Sequence, residues 1–221
     1  MRVLAVTGLN RETRIIAGPG VVTLASGGAI AWLAARIEVM LAPDIAGIIS
    51  IGIAGALDPA LKAADAVIAT AVTGHGEVYP TNDAWTARLS ATIPEARLGV
   101  VAGSNGMLID VASKQALHAS SGALCVDMES HVAAMVAKMR GLPFAALRVI
   151  SDDARRGLPK AAQAGMKPDG GMDLIAVLKS LAADPRQLPA LIRTGAEAEV
   201  AFRTLLRRRR RLGPALGLGD V

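Results

Sequence analysis

The chain has 221 residues, enough for one α/β domain with an appendage, and 52% of them are hydrophobic while only 2% are aromatic. So few aromatic residues exclude the base-stacking platforms of single-strand nucleic-acid binders, and the single cysteine, Cys125, excludes an internal disulfide or a cysteine zinc cluster. The net charge of +5 is local: without the five arginines of residues 207–211 the chain has 24 − 5 = 19 basic against 19 acidic residues. We therefore expect no nucleic-acid partner.

Short apolar runs without polar alternation predict strands that are buried on both faces of a sheet. They lie at residues 3–7, 45–53, 66–72, 98–102, 124–128 and 144–150. Ala-rich patterns of helical spacing alternate with them at residues 29–41, 84–91, 111–119 and 129–139. The alternation predicts an α/β fold: a single three-layer domain with a mostly parallel or mixed central sheet flanked by helices.

The uncharged stretch 15–35 is long enough to raise the question of a membrane span. It contains a Gly-Pro-Gly turn at 18–20 and two glycines at 27–28, which indicate a strand, a turn and a helix start instead. The first apolar run is broken by charged residues at 11 and 12, unlike a signal peptide. We expect a cytoplasmic protein in which Cys125 is a buried structural thiol.

The chain changes character after Pro185, because no strand pattern follows. Helical spacing places Leu188, Ile192, Phe202 and Leu206 roughly on one side of a helix. This pattern predicts a catalytic domain at residues 1–183 and a helical extension at 184–221 with an arginine-rich tail.

Three acidic residues stand at strand ends or strand-to-helix turns, where open α/β sheets place ligands. They are Glu12, Glu129 and Asp152. Helix caps and solvated loop carboxylates occupy such turns too, so position alone leaves both interpretations open. His75 fits an exposed loop, and His118 and His131 have no metal-binding spacing, so we expect neither a metal nor another cofactor.

Two motifs make the acidic positions more specific. The run 126–130 reads Val-Asp-Met-Glu-Ser and the run 148–152 reads Arg-Val-Ile-Ser-Asp, after an opening strand with Gly8 and Glu12 and a Gly-rich turn at 52–55. Together they resemble the nucleoside phosphorylase and nucleosidase superfamily, which includes purine nucleoside phosphorylases and methylthioadenosine/S-adenosylhomocysteine nucleosidases. Within this superfamily, the chain is similar to the hopanoid-associated phosphorylase-like proteins. This similarity lies in residues 50–58, 126–133, 167–170 and 189–193 and in Trp85.

The resemblance implies an enzyme that cleaves the N-glycosidic bond of a purine nucleoside. In it, Glu129 would bind the ribose hydroxyls and Glu12 would orient and deprotonate the attacking water. Asp152 would protonate N7 of the purine, with a proton affinity raised by burial. The resemblance assigns the substrate-binding positions to Met128, Ser151, Ala54, Gly55, Met107 and Leu108.

Several alternatives remain open at this stage. Ser50 and Ile53 stand where phosphorolytic relatives place a serine and an arginine, which favours water over phosphate as co-substrate, although Arg11 and Arg14 could build a phosphate site. The implied substrate is adenosylhopane; a smaller adenine nucleoside is the alternative. The resemblance also implies a homo-oligomer, a dimer.

The arginine run allows two interpretations. Its members are Arg207, Arg208, Arg209, Arg210 and Arg211. Beside apolar leucines they suit contact with the anionic inner face of a membrane, and a non-catalytic membrane-binding protein is the competing function. Alternatively, they are a helix end that pairs with acidic groups.

Overall fold

The computed structural model describes residues 1–27, 30–164, 171 and 173–219. The strands are β1 (Arg2–Thr7), β2 (Val21–Ala25), β3 (Ile45–Ala56), β4 (Ala66–Gly74), β5 (Glu77–Pro80), β6 (Arg97–Gly103), β7 (Cys125–Asp127) and β8 (Phe144–Asp152). The helices are α1 (Asn10–Ile16), α2 (Ile30–Met40), α3 (Asp83–Thr92), α4 (Val111–Ser121), α5 (Ser130–Arg140), α6 (Lys160–Ala164), α7 (Leu174–Ala183) and α8 (Leu188–Arg211), with 3₁₀ turns at Pro185–Gln187 and Pro214–Gly217.

The strands form one mixed sheet in which five strands close into a ring. β3 is parallel to β8, β8 antiparallel to β4, β4 parallel to β6, β6 parallel to β7, and β7 antiparallel to the end of β3. β1 and β2 extend the sheet from the first half of β3, and β5 pairs antiparallel with β4. Both strand orientations occur, which confirms the mixed form of the predicted sheet.

Two hydrophobic clusters cover the two faces of this sheet. One includes Leu33 and Ile37 of α2 together with Val136 of α5. The other includes Trp85 of α3 and Leu205 of α8. Helices on both faces of a sheet give the three layers that the sequence predicted.

Every predicted strand and helix corresponds to an element of the structure, but the structure also contains elements that the sequence analysis did not predict. All six strand predictions and all four helix predictions correspond to elements, and every residue of β8 is buried. The sequence analysis did not predict β5, α1, α6 or α7. The two shortest of these have only four and five residues, too few for a periodic pattern. Residues 28–29 and 167–170, used in the turn and motif predictions, lie outside the described part of the chain.

The C-terminal helix is present, but the predicted apolar face is wrong for most of its members. Phe202 is buried, whereas Leu188, Ile192 and Leu206 are exposed. The 24-residue helix is about 36 Å long by the usual rise, longer than the part of it that is buried around Ala201 and Leu205. The division into a domain at 1–183 and an extension at 184–221 stays a prediction.

The arginine run makes contacts within the chain. Arg208 and Arg211 both pair with Glu95. Arg209 donates to the carbonyl of Ile16 at 2.8 Å and to that of Gly213 at 3.0 Å. These contacts support the interpretation of the run as a structural helix end. Among the described residues no helix is long and apolar enough to span a membrane.

Candidate active site

One cavity of about 210 Å³ is lined by all of the catalytic and substrate-binding residues that the resemblance implied. Its walls include Glu12, Ala54, Gly55, Met107, Leu108, Met128, Glu129, Ser151 and Asp152. The cavity is far larger than the space one water needs. The sheet explains the convergence, because the segments that follow β1, β3, β7 and β8 meet where β3 changes its partner from β1 to β7.

Glu12 lies at this change of partner. The last residue of β3 registered with β1 is Ser50 and the first registered with β7 is Gly55. In the gap, the backbone N–H of Ile53 donates to Oε1 of Glu12 at 2.7 Å, and the N–H groups of Gly8 and Leu9 donate to Oε2 at 2.7 Å each. Burial raises the pKa of Glu12, and these three hydrogen bonds oppose the rise. Glu12 therefore caps α1 and also faces the cavity.

Glu129 lies in the turn from β7 to α5. Asp127 accepts the hydrogen bonds of the backbone N–H groups at the start of this helix, so the carboxylate of Glu129 is available to the cavity. Asp127 caps the helix: its Oδ1 accepts from the backbone N–H groups of Glu129 at 2.8 Å and Ser130 at 2.7 Å. The carboxylate of Glu129 accepts from the hydroxyl of Ser26 at 2.7 Å. Burial first, then repulsion by Asp127 and Glu12, raises the pKa of Glu129 to about 7, against the attraction of Arg148.

Asp152 ends β8 and is held at both oxygens. Ser151 donates its hydroxyl proton to Oδ1 at 2.9 Å, and the buried ammonium of Lys114 donates to Oδ2 at 2.5 Å. The sequence analysis expected burial to raise the proton affinity of Asp152 and did not anticipate the ammonium of Lys114 beside it. A Cβ at Gly55 would lie 3.1 Å from Oδ2, so the glycine brings β3 close to this acid.

Arg148 joins the carboxylates from the middle of β8, and its role did not follow from the sequence. Its side chain is fully buried; Nε lies 2.7 Å from Oδ2 of Asp127, and Nη2 lies 3.9 Å from Oε2 of Glu129. Burial lowers its pKa, but the surrounding carboxylates outweigh this effect and raise it. A Cβ at Gly52 would overlap Oε1 of Glu12 and lie 2.9 Å from Nη1 of Arg148. Gly52 therefore allows the close approach of these two side chains. A charged residue inside the apolar run 144–150 was the available signal.

Met107 and Leu108 lie between β6 and α4 and form part of the apolar wall. Just before them, Asn105 accepts hydrogen bonds from Nε2 of His131 at 3.0 Å and Nε2 of His75 at 3.2 Å, which fixes the start of this loop. His75 is exposed as predicted, and neither histidine lines the cavity.

Cys125 is buried at the start of β7, as predicted for a structural thiol. Burial raises its pKa, which keeps it protonated and a poor nucleophile.

Comparison with known proteins identifies the fold. The phosphorylase superfamily profile matches residues 4–183, and no curated protein matches the chain. A Streptococcus pneumoniae methylthioadenosine/S-adenosylhomocysteine nucleosidase in complex with 8-aminoadenine gives a TM-score of 0.63 at 17% identity, covering 93% of this chain and 100% of that chain. The futalosine hydrolase of Helicobacter pylori gives 0.62 at 16% identity, with 95% and 97% covered. A mutant of the H. pylori nucleosidase with 5′-methylthioadenosine in its active site gives 0.61 at 15%, with 96% and 99% covered.

Proposed function

Because the chain belongs to the phosphorylase superfamily, we propose that it cleaves the N-glycosidic bond between adenine and the ribose of a 5′-substituted adenosine. The observation that carries this proposal is the convergence of three buried carboxylates, Glu12, Glu129 and Asp152, on one cavity with apolar walls. Structures of similar fold include a nucleosidase with 5′-methylthioadenosine in its active site and a futalosine hydrolase. Release of free adenine by the purified protein tests the proposal.

Each carboxylate has a task in this reaction. The bond to the base breaks as positive charge develops on the ribose and negative charge on the purine. Glu129 accepts hydrogen bonds from the ribose 2′ and 3′ hydroxyls and stabilises the positive charge, while Met128 packs against the sugar. Asp152 and Ser151 face N7 of the base, and protonation there makes adenine a neutral leaving group.

Glu12 holds and deprotonates the attacking water. A carboxylate offers about four acceptor positions, and backbone N–H groups fill three of those on Glu12. The remaining position is on Oε1. This oxygen and Nη1 of Arg148 both lie within 3 Å of the point that a Cβ on Gly52 would occupy, and Nη1 has no hydrogen-bond partner among the described residues. A water at that point would donate to Glu12 and accept from Arg148.

Hydrolysis fits the site better than phosphorolysis. Ser50 is buried and accepts a hydrogen bond from Arg148, and the N–H of Ile53 is taken by Glu12, so neither is available to phosphate. Arg11 pairs with Glu199 at 2.6 Å and stacks on Phe202, away from the cavity. A phosphate would also meet the carboxylates that line the site.

We predict that adenine release does not depend on phosphate and yields the free ribose derivative. The measurement follows adenine by absorbance or chromatography, with and without phosphate, and identifies the sugar product by mass spectrometry. A sugar 1-phosphate, formed at a rate that rises with phosphate concentration, would establish phosphorolysis.

An apolar 5′ substituent suits one side of the cavity, and adenosylhopane, implied by the sequence resemblance, is the proposed substrate. Leu158, Ala162 and Ala198 of this wall are apolar. Nearby, α7 contacts α6 and exposes Ile175 and Leu178. A smaller nucleoside such as methylthioadenosine is the second candidate, favoured by the fold likeness to nucleosidases of that substrate.

We predict that kcat/KM rises with the length of the 5′ group in a series of 5′-alkylthioadenosines. Burial of each methylene contributes about 0.8 kcal/mol, or about fourfold in kcat/KM. Ala198→Gln, in the wall, should remove this gradient. Ala196→Gln, the same change on the exposed side of α8, should keep it. A flat length dependence in the unaltered protein would favour the smaller substrate.

The proposed location is the cytoplasm, at the inner face of the membrane where an apolar substrate would reside. The arginine run is a weaker argument for membrane attachment than the apolar substrate, because the run makes contacts within the chain. A non-catalytic membrane-binding protein would not need three buried carboxylates.

We also propose a homo-oligomer. Trp32 and Val39 of α2 are 71% and 86% accessible and lie on the side of the helix that faces away from the core.

A further inference from the structure

Lys114 is a buried cation that the sequence motifs did not single out. It lies on α4, its side chain is 1% accessible, and it lines the cavity. Its ammonium donates three hydrogen bonds: to Oδ2 of Asp152 at 2.5 Å, to the carbonyl of Asp153 at 3.0 Å and to the carbonyl of Arg156 at 3.1 Å. All three protons of the ammonium are therefore used.

Asp152 is the anionic partner of Lys114 in this arrangement. The other charged groups nearby are engaged elsewhere: the guanidinium of Arg156 lies 2.7 Å from Glu197 and 3.8 Å from the carboxylate of Asp153. The Cys125 thiol faces Asp152 from β7 and is neutral. A lone buried ammonium is costly, and its ion pair with Asp152 fixes that carboxylate at the wall of the cavity.

Resting on the function proposed above, we propose that Lys114 positions Asp152 and supplies the proton that Asp152 passes to the leaving purine. The starting state is the ion pair of the Lys114 ammonium and the Asp152 carboxylate. As the bond from C1′ to N9 breaks, its electron pair moves onto the purine. Lys114 gives a proton to Asp152 through Oδ2, and the Asp152 carboxyl group gives a proton to N7, so that Asp152 ends as a carboxylate and Lys114 as a neutral amine. The water loses a proton to Glu12 as it attacks C1′. After adenine leaves, Glu12 releases this proton and Lys114 takes one up, so the net reaction is nucleoside plus water to adenine plus ribose derivative.

The test compares two leaving groups that differ in their need for a proton. Adenine needs one at N7, whereas 4-nitrophenolate departs as a stable anion. Lys114→Met should lower kcat/KM for 5′-methylthioadenosine by ~10²–10⁴-fold, the usual contribution of a proton-transfer group. For the 4-nitrophenyl riboside with the same 5′ substituent, Lys114→Met should lower kcat/KM by less than about tenfold, because this leaving group needs no proton. Lys138→Met, which changes an exposed lysine on α5, should affect neither substrate.

The outcomes separate this proposal from the function on which it rests. Failure of the unaltered protein to cleave either substrate would refute the proposed function. Cleavage of both, with an equal loss for both in Lys114→Met or with no loss, would refute the role of Lys114. If Lys114→Met does not fold, Lys114→Arg replaces it. Arginine keeps the charge but does not release a proton, so the proposal expects the same selective loss for adenine.

Discussion

Replacing Asp152 with asparagine is expected to lower turnover of a 5′-substituted adenosine by ~10²–10⁴-fold. The amide cannot pass a proton to N7, while Ser151 and Gly55 still shape the site. The measurement is the steady-state rate of adenine release. Because the change leaves Lys114 without its anionic partner, we also expect a lower unfolding temperature, so rates are compared well below it.

The neighbouring aspartate provides a matched control. Asp153 directs its carboxylate to the backbone N–H of Arg155 at 2.8 Å and does not line the cavity. Asp153→Asn should therefore keep turnover within a few-fold of the unaltered protein, because the carboxylate of Asp153 does not line the cavity. Near-full activity in Asp152→Asn would show that this carboxylate is not the leaving-group acid.

The second large effect is expected for Glu129→Gln, which should lower activity and raise stability together. The side-chain amide of the glutamine can bind the ribose hydroxyls, but it does not stabilise the positive charge that develops on the ribose. We therefore expect kcat to fall by at least ~10²-fold. For stability, the raised pKa of about 7 means that between roughly pH 4.5 and 7 the native state binds more protons at Glu129 than the unfolded state. Its contribution to stability is therefore lost as pH rises through that interval.

Denaturant unfolding at pH 5 and pH 8 measures this effect. Glu129→Gln should match the unaltered protein near pH 5 and exceed it at pH 8, by a few kcal/mol at most from the size of the shift. Glu77→Gln, at an exposed residue of β5 with a lowered pKa, is the control and should not gain stability at pH 8. Parallel stability curves for Glu129→Gln and the unaltered protein would contradict the burial argument.

Apolar runs could be predicted as strands from the sequence, but length and apolar character did not identify every element, since α7 has ten mostly apolar residues and was not predicted. β8 corresponds to a mostly apolar run, and its nine residues are buried as expected. β5 is short and carries Glu77 and Pro80, so neither apolar alternation nor length marks it. The predicted apolar face of α8 failed because periodicity identifies one side of a helix but not how much of its length meets the sheet.

The motif residues could be recognised because each motif is a short contiguous run at a strand end, such as residues 126–130 and 148–152. Their supporting partners come from elsewhere in the chain: Ser26 reaches Glu129 from 103 residues away, and Lys114 reaches Asp152 from 38. A single lysine on a helix resembles a solvated residue in sequence, since only tertiary contacts show its burial. For the same reason, the sequence analysis missed the ammonium of Lys114 beside Asp152.

The release of adenine from 5′-methylthioadenosine and a longer 5′-alkylthioadenosine by the purified protein tests the central claim most directly. We predict release from both, faster from the longer substrate, without phosphate, and at least ~10²-fold slower in Asp152→Asn. Asp153→Asn should release adenine at nearly the normal rate. A folded protein that releases no adenine from either compound, or whose release is unchanged in Asp152→Asn, would contradict the assignment of this cavity as a nucleosidase site.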